Sequence, residues 1–209
     1  MSYVVLVTGV SGSGKSALSR HLSARGEHAI SLDGHPGLCQ WQDQHGRHVQ
    51  RPVKPNIGWL RTHHWAWRPT ALDTLIAERR QAGHRRSFLC GTAGNQHQLL
   101  DRFDLVVTID VDAATMSSRL DSISRSNPFG RVGASRRLLA ERFESDRAAM
   151  LTAAHHVVDA TAPVEVVANM VCALAALHQL EVIGTRLASS ARQPGHRREA
   201  PPRAAHTTG

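Results

Sequence analysis

Cysteine is scarce in this chain. The three present among 209 residues, Cys39, Cys90 and Cys172, stand far apart, without the short spacings of a zinc cluster or a disulfide framework. That pattern implies a reducing compartment, and a cytoplasmic location is expected. No uninterrupted apolar run reaches the roughly 18 residues of a membrane span. The amino terminus leads directly into a strand-like run, so neither a membrane partner nor a signal peptide is expected. Aromatic residues make up only 4%, and no internal repeat is visible. What remains, 41% hydrophobic and 20% charged, is ordinary for one globular domain.

The net charge of +8 is concentrated at one end. From residue 186 onward Arg186, Arg192, Arg197, Arg198 and Arg203 face Glu199 alone, which places +4 of the total in the tail. Residues 188–209 are rich in Ala, Ser, Pro, Arg and His and carry no periodic apolar residue. They are expected to be disordered within a basic tail, 183–209, that starts where Gly184 ends the last helix. Short Arg-rich ends are usually solvated, so no nucleic-acid partner is expected; binding through the tail would instead show a steep salt dependence.

Apolar strand-like runs recur at 3–8, 29–32, 87–90, 105–109 and 156–158, with helical spacing between most of them. Leu72, Leu75 and Ile76, then Met116 and Leu120, then Leu139 and Phe143, then Val167, Met170, Val171, Leu174 and Leu177 mark the helices. The alternation predicts an α/β fold, a parallel sheet of about five strands between helical layers, spanning 1–182. Two stretches break the pattern. Residues 34–69 form a long insertion poor in aliphatics, and 125–136 form an irregular cationic stretch between two helices, the centre of a lid over 119–137.

Directly after the first strand-like run, Gly9-Val10-Ser11-Gly12-Ser13-Gly14-Lys15-Ser16 fits G-x-x-x-x-G-K-[ST] at every fixed position. Backbone N–H groups converge on phosphate oxygens only in a tight loop, which glycine permits. Lys15 adds a point charge for the outer phosphates, Ser16 a hydroxyl for Mg²⁺, and the helix opening at Lys15, Ser16 and Ala17 points its N-terminal dipole at the same anion. The pattern implies a bound nucleoside triphosphate. No Asn-Lys-x-Asp guanine-reading motif is present, so ATP is the expected nucleotide.

This layout, with the loop at the amino terminus, an insertion after strand two and an Arg-bearing lid after strand four, resembles the P-loop small-molecule and nucleoside monophosphate kinases, with shikimate and gluconate kinases nearest. The resemblance implies a three-layer P-loop NTPase fold and transfer of the γ-phosphoryl group of ATP·Mg²⁺ to a hydroxyl or phosphate of a small metabolite. Asp33, in Ser31-Leu32-Asp33-Gly34, stands where these kinases carry an acid beside the acceptor and the magnesium, and Asp110 is its rival. Arg125 is implied at the transferred phosphoryl group and Arg119 at the base. Thr161 and Pro163 lie in a segment similar to the loop that packs against adenine. The chain departs from the nucleoside monophosphate kinases at Cys90-Gly91, where those carry an Asp-Gly pair, and this shifts the expected acceptor toward nucleosides, sugars or cyclic acids.

All four tryptophans, Trp41, Trp59, Trp65 and Trp67, fall in the insertion. Either the rings wall an acceptor pocket, with Trp41 and Trp59 as the wall and Trp65 and Trp67 packed behind, or they form a small core of their own. Gly91 and Asn95 belong to a Gly-rich turn that either admits a substrate to the backbone or is a plain tight turn. Adjacent His63 and His64 diverge and have no acidic or Cys partner at ligand spacing, so no zinc is expected. An acceptor-independent ATPase or nucleotide-switched regulator is the alternative. A monomer or homodimer is expected.

Overall fold

The computed structural model describes residues 2–122 and 127–191, with side chains described to residue 185. The five apolar runs form a single parallel sheet: β1 (Tyr3–Thr8), β2 (Ala29–Ser31), β5 (Arg86–Cys90), β6 (Leu105–Asp110) and β7 (His156–Asp159), in the order β2-β5-β1-β6-β7. β1 lies at the centre and is buried along its whole length, so its sequence is continuously apolar up to Thr8 instead of alternating. Val4 and Leu6 join one core with Leu72, Leu75 and Ile76 of α3 (Pro69–Gln81). Tyr3, Val5 and Val7 join the other with Leu18 and Leu22 of α1 (Lys15–Ala24) and Val167, Ala168 and Val171 of α6 (Val164–Ala191). Each such Val or Leu contributes roughly 1.5–3 kcal/mol on burial. The expected three-layer P-loop fold is present.

The insertion is more ordered than its composition suggests. β3 (Cys39–Asp43) and β4 (His63–Trp67) pair antiparallel as a second sheet, with α2 (Ile57–Thr62) between them. Asp43 closes the turn after β3 by accepting from the backbone N–H groups of His45 (2.9 Å) and Arg47 (3.0 Å) and pairing with the Arg47 guanidinium. Aromatic residues do here what aliphatics do in the main sheet. Trp67 is fully buried against the Leu72 core and Phe103.

Two expectations are corrected by α6. Gly184 does not end this helix, which continues to Ala191. One interior glycine costs only about 1 kcal/mol relative to alanine, little against a 28-residue apolar helix packed on the sheet. The remainder of the expected disordered tail, 192–209, lies outside the described residues. The window Val164–Thr185, with mean hydropathy 1.7, is also long and apolar enough by composition to cross a bilayer. In the fold its Val167, Ala168, Val171 and Ala175 face closes one core.

α4 (Ala113–Asp121) and α5 (Gly133–Ala153) flank the expected lid. Arg136 of α5 is partly buried. Its guanidinium holds the Ser117 carbonyl (3.3 Å) and the Asp121 carboxylate (3.2 Å), tying the two helices together.

Candidate functional site

The loop after β1 has the geometry of an anion cradle. At Gly9, φ is 154° and a Cβ would lie 2.4 Å from the Ile109 carbonyl oxygen, so β6 leaves no room for a side chain. Gly14 caps α1 in the left-handed region at φ 104°, with no side-chain hydrogen bond capping the helix and no acid in the first turn. The first N–H groups of α1 therefore remain available to an anion, with the helix dipole behind them. Lys15, only 7% exposed, curls over the loop: its Nζ donates to the carbonyls of Gly9 (2.8 Å) and Val10 (2.9 Å).

A cavity of about 370 Å³ opens above this cradle, lined by residues 11–18 together with Asp33, Arg119, Ala160, Ala162 and Val164. Arg119 spans it, donating to the carbonyls of Ser13 (3.1 Å) and Ala160 (2.7 Å), and so ties the phosphate loop to the exit of β7. At that exit the lining residues are Ala160 and Ala162. Thr161 and Pro163, the residues expected there, are exposed, and the Thr161 hydroxyl donates to Asp159 (2.7 Å). Ala160 and Ala162, with Val164, give this end of the cavity small apolar walls, and Thr161 and Pro163 are not among its lining residues.

Ser16 and Asp33 line the same cavity, which gives a hydroxyl and a carboxylate as hard oxygen donors. That set fits Mg²⁺, which takes few protein ligands and fills its shell from phosphates and water. One Asp33 oxygen accepts from the Thr92 backbone N–H (3.3 Å). Asp110 is committed elsewhere: Arg147 of α5 grips both its oxygens, Nε at 2.7 Å and Nη2 at 2.6 Å. Asp112 caps α4 by accepting from Thr115 N–H (2.6 Å). Cys90, where an acid was missing, does not replace one. Burial pushes its thiol up to about 12, against opposing influences from Ser19 and Lys15, so it stays neutral. Arg125 lies outside the described residues.

A second cavity, of about 530 Å³, lies between the hairpin, the loop after β5 and α5. Val10 and Ser11 of the phosphate loop form one of its walls, and Ser11 lines both cavities. The lid also spans them, with Asn127 on the first and Phe129 on the second. Trp41 and Trp65 are register partners in the hairpin, their rings 5.7 Å apart, and both line the second cavity. Trp59 instead backs Trp41 at 5.0 Å and stacks on His63 at 4.2 Å. The expected division is thus exchanged for one pair: Trp65 takes the wall position and Trp59 the supporting one, because pairing across β3 and β4 sets Trp65 against Trp41. Trp67 packs behind as expected, but in the core of the main sheet and not in a small core belonging to the insertion.

The turn after β5 is a clasp. A Cβ on Gly91 would lie 2.6 Å from Leu32 Cβ, and one on Gly94 2.8 Å from the His64 ring, so both glycines serve protein packing. Asn95, 7% exposed, accepts from Trp67 N–H (3.0 Å) and donates to the Trp67 carbonyl (2.8 Å). Its amide docks the hairpin on the main sheet, and Gly91 and Asn95 are not among the residues lining the second cavity. Sequence reasoning passed over Gln96, His97, Asp146 and Phe129, which do line it. Arg142 lines it too, and its Nη2 is anchored on the Arg61 carbonyl at 3.0 Å. His64 is kept neutral near pH 7, its pKa lowered by burial first and then by Arg142.

Fold and loop together define the class, a P-loop α/β fold with a five-stranded parallel sheet between helices. No protein-family profile and no curated protein sequence matches the chain. Among solved structures it is similar to a shikimate kinase from Bacteroides thetaiotaomicron (15% identity, TM-score 0.49, covering 82% of this chain and 97% of that one). It is similar also to a shikimate kinase from Acinetobacter baumannii in complex with shikimate (18%, 0.46, 83% and 93%). A gluconokinase from Sinorhizobium meliloti 1021 is comparable (16%, 0.46, 87% and 97%). Likeness this remote carries neither an activity nor an acceptor to this chain.

Proposed function

We propose that this protein transfers the γ-phosphoryl group of ATP·Mg²⁺ to a hydroxyl or phosphate of a small metabolite. The observation that carries the reading is the meeting of two cavities at Ser11 of the phosphate loop, one lined by the cradle and one by aromatic and polar side chains. Magnesium, held by Ser16 and Asp33, would offset charge on the phosphate oxygens. Loop amides and Lys15 grip the donor, and Asp33 aligns or deprotonates the acceptor. Arg125 is the expected guanidinium for the transferred phosphoryl group, and Arg119, in the first cavity, the expected contact of the base. Charge on three equatorial oxygens calls for such donors more than for a covalent intermediate.

ADP release measured with ATP·Mg²⁺ against nucleosides, sugars, cyclic acids and aminoglycosides tests this, and one acceptor that raises it is the expected result. Absence of any heat on titrating either purine triphosphate with magnesium overturns it. The second reading, a nucleotide-switched regulator, draws on the apolar face of α6, where Val166, Met170, Leu177, Leu180 and Ile183 are 43–59% exposed. It requires hydrolysis indifferent to metabolites and an oligomeric state that follows nucleotide.

A further inference from the structure

The second cavity contains one polar side chain whose bonding is half complete. Gln96 is 9% exposed and opens a turn of 3₁₀ helix (Gln96–Gln98) after the clasp. Its Oε1 accepts from the Thr8 hydroxyl at 3.0 Å. Its amide nitrogen has no protein partner among the described residues, and it is not sealed away, since Gln96 forms part of the cavity wall. A carboxamide fixed through its oxygen presents its N–H groups in a set direction, toward whatever acceptor enters the cavity, and a ligand oxygen can take the place of water there.

The fixing point is next to the phosphate loop. Thr8 ends β1 immediately before Gly9. The Thr92 hydroxyl donates to the Gly9 carbonyl at 2.6 Å, the same carbonyl that Lys15 reaches, and the Thr92 N–H donates to Asp33. Gln96 is thereby held in register with the loop and with Asp33 through Thr8 and its hydroxyl neighbour Thr92, while its free end belongs to the wall of the second cavity.

We propose that Gln96 is the positioning residue that reads the ligand of the second cavity by donating from its carboxamide to an oxygen of that ligand. The recognised chemistry is a body with an apolar face set against Trp41 and Trp65 that presents a carboxylate, carbonyl or hydroxyl oxygen to Gln96. An ammonium group is disfavoured at that point because it would meet N–H donors, and Asp146, the acid on the wall, already interacts with Arg142 beside it. This rests on the reading of the second cavity as the acceptor site and selects within the acceptor classes, against polyamines.

The test is binding without turnover, so it does not depend on phosphoryl transfer. Benzoate and benzylamine share a ring and differ in head group, and quenching of Trp41 and Trp65 fluorescence reports their entry. Benzoate is expected to bind the wild-type chain at least about tenfold more tightly than benzylamine. Gln96→Glu, which keeps an oxygen for Thr8 and removes the donors, is expected to invert the order. In the ¹⁵N-labelled wild type, the Gln96 side-chain NH₂ signals should shift with benzoate, a readout that survives if the variant does not fold. Equal binding of the two probes by the wild type, no binding of either, an order unchanged by Gln96→Glu, or unmoved NH₂ signals would each overturn the proposal. Calorimetry of the same protein with ATP·Mg²⁺ shows separately whether the kinase reading has failed.

Discussion

The two cavities that meet at Ser11 are built in opposite ways. The cavity over the cradle takes most of its lining from one continuous stretch, residues 11–18, with Asp33, Arg119 and the β7 exit closing it. The second takes its lining from β3, β4, the turn after β5, the lid and α5, which are far apart in the chain. Gripping phosphate requires many amides converging on one point, and a single tight loop before a helix provides them. Recognising an acceptor requires side chains facing one another across a gap, and only packing of distant segments places them so.

This contrast predicts that substitutions at the two ends fail differently. The largest effect is expected from Lys15→Ala, which removes the charge over the loop carbonyls; turnover should fall by roughly 10² to 10³ or more, measured as steady-state ADP release. Next comes Asp33→Asn, at the junction. Affinity for ATP·Mg²⁺ in calorimetry should stay close to wild type while transfer drops roughly 10²-fold or more. Normal turnover in this variant assigns the acid role to Asp110, whose carboxylate Arg147 now holds.

A smaller effect, confined to the acceptor end, is expected from Asn95→Ala. It leaves the Trp67 N–H and carbonyl without their partners, at about 1–3 kcal/mol for each buried group. Every kcal/mol lost lowers the melting temperature by about 2–4 °C in a chain of this size. Unchanged nucleotide affinity in the folded variant sharpens the comparison, and a matching loss of nucleotide affinity breaks it.

The smallest effect concerns acid. Burial works to raise the Asp43 pKa, yet the bonds from Arg47 and His45 outweigh it and hold the carboxyl at about 2, below its ordinary value of 3.8. A depressed folded pKa means that this turn adds stability at neutral pH and down to about 4. That contribution then fades as the pH falls through about 2. The amide signals of His45 and Arg47 should titrate together there, and Asp43→Asn should remove the transition while the loop around Gly9 stays unperturbed.

Much of the nucleotide end was legible because its physics is local. The glycine spacing, Lys15 and Ser16 state the cradle by themselves, and the five apolar runs state the sheet, since strands buried on both faces need no partner to be recognised. Asp33 was found by its place after β2. Less was legible at the other end. The turn holding Asn95 was open to two readings, substrate approach or plain tight turn, and neither foresaw that its amide clasps Trp67. Trp59 and Trp65 exchange roles because hairpin register, which no run of residues declares, decides which ring faces inward. Gln96 carried no signal apart from its nearness to Asn95.

The sequence by itself determined that a tight glycine-rich loop of the P-loop pattern follows a central parallel strand, because short-range backbone geometry and strand burial are written in consecutive residues. Only the tertiary structure decided which side chains meet around the second cavity, that Arg147 occupies Asp110, and that Gln96 reaches back to Thr8. Those contacts join segments dozens of residues apart, and their partners are chosen by packing and hydrogen-bond satisfaction once the chain has folded.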